Sequence, residues 1–474
     1  MVAIHLLVKP FWILGIDRAV QNAVGPAEFG LYFAAFNFSL LFNVLLDAGI
    51  THFNHWHISQ NAHLLARQMS SIVAIKIGLV VLYLAATLTA GAVWGYGSHQ
   101  MLMLVVLAIN QCLASFVAYL RSNVSALLLF GTDSLLSVLD RLFMIAISAA
   151  LLWGGFTPTP FRIEWFLYAQ SLGYLLTALT AWVVVRRHAA LSRLAWDVPF
   201  AIALLKRSLP FALLGLLITI YTRVDAVLLE RLLPGELGGR QAGIYAMGYR
   251  LLDAANMLAY PSALLLLPVF ARLLKRGEAV QRMLALSFTL VFVLAITATA
   301  ASCFYASEIM GLLYVDDVGP ATAVFRVLMA GLVATTATYV CGTLLTASGS
   351  LRALNIVAAA GVVVSLALNG SLIPRYMAMG AAVASLATQY AVALAHIVLV
   401  RRKFGVRANP AYLAKLAGFT AGVIGAGYVS RLLPWDWRAS LAAMAFVSIL
   451  LGVALRLVDL RAWIGPAGPE LSDR

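Results

Sequence analysis

The sequence predicts an all-α polytopic membrane protein of about fourteen transmembrane helices, arranged as six, six and a terminal pair. Three observations predict it. Of 474 residues, 62% are hydrophobic and 11% charged, whereas a soluble domain carries roughly 25% charged residues. Apolar stretches of about 20 residues, each able to cross ~30 Å of hydrocarbon, recur from end to end. One pattern also occurs twice, 213 positions apart: Asp17-Arg18, Gly25, Gly30 and Tyr32 return as Glu230-Arg231, Gly238, Gly243 and Tyr245.

In chain order the predicted spans are 4–24, 29–50, 70–94, 101–121, 126–153, 163–185, 209–232, 240–271, 283–313, 321–347, 352–373, 378–400, 411–431 and 437–458. Lys9 and Pro10 interrupt the first apolar run, and no small-residue cleavage site precedes Asp17 and Arg18. The first span is therefore expected to stay in the mature protein. The basic segment from Arg186 to Arg207 reads as a linker, and Pro210 as the opening of the seventh span, where a missing N–H costs nothing. A second basic segment, Arg401-Arg402-Lys403 to Lys415, sets the last two spans apart. The expected units are 1–205 (spans 1–6), 206–403 (spans 7–12) and 404–474 (spans 13–14 and a short tail). Leu127-x-x-x-Gly131 and Leu345-x-x-x-Gly349 give a weaker echo of the same duplication. Internal repeats of this kind suit transporters that rock one lobe against the other.

The net charge of +14 is a topology signal. With the N-terminus placed in the cytoplasm, inner loops and tail hold twenty cations and outer loops six, or seven once Arg18 joins its repeat partner Arg231. That bias predicts two cytoplasmic termini and calls for no nucleic-acid partner. No loop is long enough for a soluble catalytic head, so no enzyme activity and no catalytic residue are expected. Cys112, Cys303 and Cys341 are scattered and read as small buried residues. His52, His55, His57 and His63 crowd one loop without acidic or thiol support, and read as a solvated interfacial loop with no metal site.

Seven cations remain in or beside apolar spans: Lys9, Arg18, Lys76, Arg141, Arg223, Arg250 and Arg326. A cation at the bilayer centre costs ~2.5–3.5 kcal/mol on insertion scales, so such residues tend to face an internal cavity. Lys9, Lys76 and Arg326 read as structural pairs or snorkelling cations. The others lie on patterned faces. Arg18, Gln21, Asn22 and Gly25 form one stripe; Tyr249, Arg250, Asp253, Asn256 and Tyr260 form a richer one. Asn43 and Asp47 pair at i, i+4, and Thr222 and Asp225 at i, i+3. Asp140-Arg141 and Arg223-x-Asp225 do not share a face of their own helix, so each is expected to find a partner elsewhere. Together the stripes imply a hydrated cavity between the lobes. Arginine there suits a phosphate or carboxylate, and tyrosines suit sugar rings. Asp47, Asp140, Asp225 and Asp253 are candidates either for binding a coupling ion or for neutralising the arginines.

Lys9-Pro10-x-Trp12 through Asp17-Arg18, then Gly25-Pro26-x-Glu28-Phe29-Gly30-Leu31-Tyr32 and Leu46-Asp47-x-Gly49, resembles the start of bacterial oligosaccharide flippases of the Wzx type. So do Leu209-Pro210 with Tyr221-x-Arg223-x-Asp225-x-x-Leu228-Leu229, and Gly243-Ile244-Tyr245 through Arg250-Leu251-Leu252-Asp253 to Leu267-Pro268. These flippases belong to the multidrug/oligosaccharidyl-lipid/polysaccharide (MOP) exporter superfamily. The resemblance implies two six-helix lobes in a V around a central cavity, in the bacterial inner membrane. It implies translocation of an undecaprenyl-pyrophosphate-linked oligosaccharide to the periplasmic leaflet for O-antigen, capsule or exopolysaccharide. It also implies an H⁺ or Na⁺ gradient with no other cofactor, and as partners membrane lipid, a polysaccharide polymerase and a chain-length regulator. Head-group contact falls on Arg250, then on Arg18, Arg223 and Arg141, with Tyr249, Asn256 and Tyr260 beside them. The repeated motif itself (Asp17, Gly25, Gly30, Glu230, Arg231, Gly238, Gly243) reads as the outer hinge and gate of each lobe.

Two other functions compete. A multidrug cation antiporter of the same superfamily would want an acidic cavity, and this one is rich in arginine. A membrane polysaccharide polymerase or ligase would want a sizeable outer loop, and none is long enough.

Overall fold

The computed structural model describes residues 2–457 except 48, 52–53, 55–57, 59–64, 156–159, 188–197 and 407–408. The four loop histidines lie outside the described residues, as do most of the predicted linker and the C-terminal tail. The described residues form helices and turns without a strand. They are α1 (Val2–Phe11), a π-helical stretch (Trp12–Asp17), α2 (Arg18–Leu41), α3 (Val44–Asp47), α4 (Leu65–Trp94), α5 (Ser98–Ala126), α6 (Phe130–Trp153), α7 (Ile163–Arg186) and α8 (Val198–Leu232). Then come α9 (Glu236–Lys275), α10 (Gln281–Phe304), α11 (Ala306–Leu313), α12 (Val318–Ala347), α13 (Leu351–Phe404), α14 (Pro410–Leu432) and α15 (Trp437–Ala454).

Ten of the described helices are long and apolar enough to cross a membrane. One of them, α13, has 54 residues and breaks at Met377, where φ is 51°. At 1.5 Å per residue it would run ~80 Å, so the break divides it into two crossings. The other merged element is α2, bent at Gly25 (φ 82°) just before Pro26. Such a positive φ suits glycine, and the following proline cannot continue a helical hydrogen-bond ladder. With both bends counted, the described chain traces fourteen arms in the predicted order. The architecture is the all-α polytopic membrane class expected from composition.

Four local expectations change. The second span does not run unbroken from 29 to 50: it turns at Phe42-Asn43 through i to i−3 bonds before α3, so Asn43 and Asp47 do not share one continuous helix. The ninth span breaks at Tyr305, a fully buried side chain whose hydroxyl lies 2.8 Å from that of Ser430 on α14. Pro210 lies inside α8 instead of opening it, because the chain is already helical from Val198. Its carbonyl accepts from the Asn355 side chain at 3.2 Å. The predicted linker residues 198–207 therefore belong to α8.

Packing explains where the site lies. α2 packs against both α8 and α9, and α9 packs against α12. The main core gathers where these helices meet, around Trp12, Phe29, Tyr32, Phe33, Tyr245 and Phe325. The terminal pair α14–α15 rests on α10.

Candidate functional site

The two copies of the repeated motif touch each other. A Cβ on Gly30 would run into the Gly239 carbonyl, and a Cβ on Gly243 into the Pro26 carbonyl. Both obstacles are backbone and cannot swing aside, so only glycine lets α2 and α9 cross this closely. Gln21 Nε2 donates to the Gly243 carbonyl at 3.0 Å and ties the crossing from the side. Gly238 closes against the Glu230 carbonyl within its own copy. Glu230 accepts from Gln100 at 2.8 Å, and the Arg231 guanidinium lies against Gly95.

Arg18 and Asn22 both donate to the Leu313 carbonyl, at 3.4 and 2.9 Å. They satisfy an orphan acceptor at the end of α11. Nearby, Arg240 donates twice to Asp317, at 2.8 and 2.6 Å, and holds that carboxyl below the usual carboxylate range. Val24, Gly25, Pro26, Ala27, Arg240, Asp316 and Asp317 line an open cleft of about 410 Å³ beside the crossing.

Asp17 is the member of the motif that departs from the expected place. It is 1% exposed and pairs with Arg250, Oδ2 to Nε at 2.9 Å. The reason is local: the π-helical stretch ends on Asp17 and breaks the α-helical register between α1 and α2. Asp17 thus belongs to the arginine cluster, while Glu230, its repeat counterpart, stays with the rim.

The arginines sit one layer further in. Arg250 is covered by Phe33 and Phe36, with its guanidinium 5.1 and 5.4 Å from their ring centroids. Arg223 makes a two-pronged pair with Asp253 at 3.0 and 3.1 Å and lies 5.1 Å from the Tyr249 ring. The α9 stripe therefore divides between two neighbours: Arg250 faces Asp17, whereas Tyr249 and Asp253 face α8. Tyr249 donates to the Thr222 carbonyl at 2.5 Å and stacks on Tyr245. The Asn256 side-chain oxygen is buried without a hydrogen-bond donor among the described residues. The side chain of Tyr260 lies outside the described residues.

Among the described residues Arg141 makes no salt bridge to a carboxylate on another helix. Its nearest acid is its neighbour Asp140, 3.8 Å away, because Trp12 and Tyr174 occupy the space beside its guanidinium. Asp17 is within electrostatic reach of Arg141 as well as Arg250.

Of the four candidate carboxylates, three neutralise a base. Asp47 pairs with Lys76 at 3.0 Å and accepts from Thr51; Asp140 lies beside Arg141 and Asp253 holds Arg223. Asp225 is different. It is 1% exposed, accepts from Tyr245 Oη at 2.8 Å and from Asn369 Nδ2 at 2.7 Å, and makes no salt bridge among the described residues. Asn369, itself fully buried, escaped the sequence reading because one amide in a long apolar run carries no periodic signal.

Fold and comparisons define the class: a multi-pass helical membrane protein with the architecture of solved MOP superfamily structures. At 12% identity the chain matches a structure titled "Lipid II flippase MurJ, inward closed conformation", with a TM-score of 0.74 and coverage of 98% of this chain and 100% of that one. An inward-facing multidrug resistance MATE family transporter of the MOP superfamily matches at 14% identity, TM-score 0.64, covering 85% and 98%. A MOP superfamily transporter from Pyrococcus furiosus, whose title reports reverse polarity of the binding pocket, matches at 15% identity, TM-score 0.53, covering 85% and 92%. No curated protein matches. The profile of the polysaccharide biosynthesis protein family matches residues 19–274, more than half the chain, and the protein belongs to that family.

Proposed function

We propose that this protein is a Wzx-type flippase, moving undecaprenyl-pyrophosphate-linked oligosaccharide from the cytoplasmic to the periplasmic leaflet by alternating access. The observation that carries the reading is the cluster of Arg141, Arg223 and Arg250, from three helices, around buried carboxylates where α2 meets α9. Buried arginine forks suit phosphate oxygens, and carboxylate partners keep them soluble in the membrane until an anion replaces them. In this reading the glycine crossing is the closed periplasmic gate, with Arg18, Asn22 and the Arg240–Asp317 pair on its rim. The protein works in the bacterial inner membrane with both termini cytoplasmic, beside the polymerase that uses its product. A gradient of H⁺ or Na⁺ drives the cycle, and Asp225 binds the coupling cation, since its carboxylate has donors but no resident base.

Deleting the gene removes the mature surface polysaccharide while lipid-linked repeat units accumulate inside. Wild type restores the polymer and Arg250→Ala does not. Full restoration by Arg250→Ala at equal expression would sink the assigned role.

A further inference from the structure

The two halves of the chain meet at a second place besides the glycine crossing. The turn between α4 and α5, Gly95-Tyr96-Gly97, lies against the end of α8. Gln100 Nε2 donates to Glu230 at 2.8 Å across this seam. A Cβ on Gly95 would stand 3.3 Å from Arg231 Nη2, so the guanidinium rests directly on the turn. Val227 of α8 completes the contact, in one apolar cluster with Phe38, Trp94, Tyr96 and Met101.

Gln100 is aimed at its partner. Its Oε1 accepts from the Gly97 N–H at 3.4 Å, which leaves Nε2 for Glu230. Its neighbour His99 is held by its own half: Nε2 lies 2.6 Å from Glu28 on α2, and Nδ1 3.7 Å from Glu164 on α7. The turn is thus fixed in the first half and reaches the second through one polar side chain. The body of α8 is fixed to the second half instead, Asp225 by Tyr245 and Asn369, and Arg223 by two bonds to Asp253. Glu230 follows Asp225 by about 7.5 Å along the helix, at ~1.5 Å per residue. One helix therefore belongs to the second half through its body and touches the first at its end. The end contact is the lighter of the two, for Glu230 Oε2 and Tyr96 Oη are buried there without a hydrogen-bond partner among the described residues. Parting the seam returns both atoms to water.

We infer that this turn is a second outer closure, with Gln100 as the catch and Glu230 as the keeper, and that the two separate each time the outer side opens. The glycine crossing closes by backbone contact, which no side-chain motion adjusts. The second closure is a polar bond between side chains that can be released and remade. This inference rests on the alternating-access reading and adds to it the contact that must break.

The test uses the full chain with Cys112, Cys303 and Cys341 replaced by alanine. In that background Val227→Cys, at a position 1% exposed, reports the seam to a membrane-impermeant maleimide added outside. Labelling is slow. Gln100→Glu sets one carboxylate against another and speeds it about tenfold. Adding Glu230→Gln exchanges the two roles and brings the rate back towards its starting value. Fast labelling from the outset, no response to Gln100→Glu, or no recovery in the exchange overturns the pairing. Separately, Gln100→Cys/Glu230→Cys joined by a short bifunctional methanethiosulfonate stops movement of lipid-linked oligosaccharide, and a reducing agent restores it. Continued movement by the joined protein overturns the closure. If even the wild type moves no lipid-linked oligosaccharide while the labelling series behaves as stated, the flippase reading fails and the closure stands for another cargo.

Discussion

At the residue scale, the buried charges separate into those that hold the structure and those free to act. Arg223 and Asp253 satisfy each other, so Arg223→Ala strands a carboxylate. A buried pair broken on one side costs about 3–5 kcal/mol, whereas replacing both partners by apolar residues is often close to neutral. Thermal unfolding in detergent should accordingly drop for Arg223→Ala and recover in the double variant Arg223→Met/Asp253→Leu, which still fails to transport. Asp225→Asn still accepts from Asn369 through its one carbonyl oxygen and can donate to the Tyr245 hydroxyl, but removes the charge. We expect a normally folded protein whose gradient-driven transport falls about tenfold or more, a barrier change of roughly 1.4 kcal/mol. Vesicle assays with an imposed ion gradient would check it, and undiminished ion dependence would exclude Asp225. Sequence reasoning names these carboxylates without being able to rank them. Asp225 looked equivalent to Asp47 and Asp253 because their partners, Lys76 and Arg223, come from other helices and have no fixed spacing in sequence.

At the scale of elements, the crossing of α2 and α9 decides what can move. Valine at Gly30 meets backbone, and overpacking of this kind costs about 1–3 kcal/mol in the closed arrangement. Gly30→Val should therefore favour an open outer side, read as faster labelling of a cysteine placed at Ala27. The Arg240–Asp317 pair at the rim follows a simple pH rule. Its carboxyl is held below the usual carboxylate range, so its contribution is complete above the ordinary pKa of ~3.9 and is lost as pH falls through the lowered folded value. Hydrogen-exchange protection factors at the starts of α9 and α12 should thus stay flat from about pH 5 to 8, and fall at neutral pH only in Asp317→Asn. Most helices were legible because length and hydropathy alone fix a membrane span. The breaks at Phe42-Asn43 and Tyr305 were not, because neither carries glycine or proline: local i to i−3 bonds close the first, and the buried contact to Ser430 accompanies the second.

At the scale of the whole molecule, the charge bias of the loops predicts two cytoplasmic termini. A fluorescent protein fused to the C-terminus should fold and shine, and alkaline phosphatase fused there should be inactive; the reverse pattern would invert every assignment of gate and entry side. The duplication was the most informative sequence signal, and the structure gives it a mechanical content that spacing alone lacked. Each copy supplies the glycine that the other copy's carbonyl needs. Two halves of a duplicated chain are ordinarily free to diverge, since neither constrains the other. Here a side chain gained by either glycine is blocked by a main chain that no substitution in the other half can trim away. The motif is therefore a joint debt of both halves: wherever this crossing forms, neither copy can lose its glycine alone, and the resemblance between them survives as a by-product of their contact.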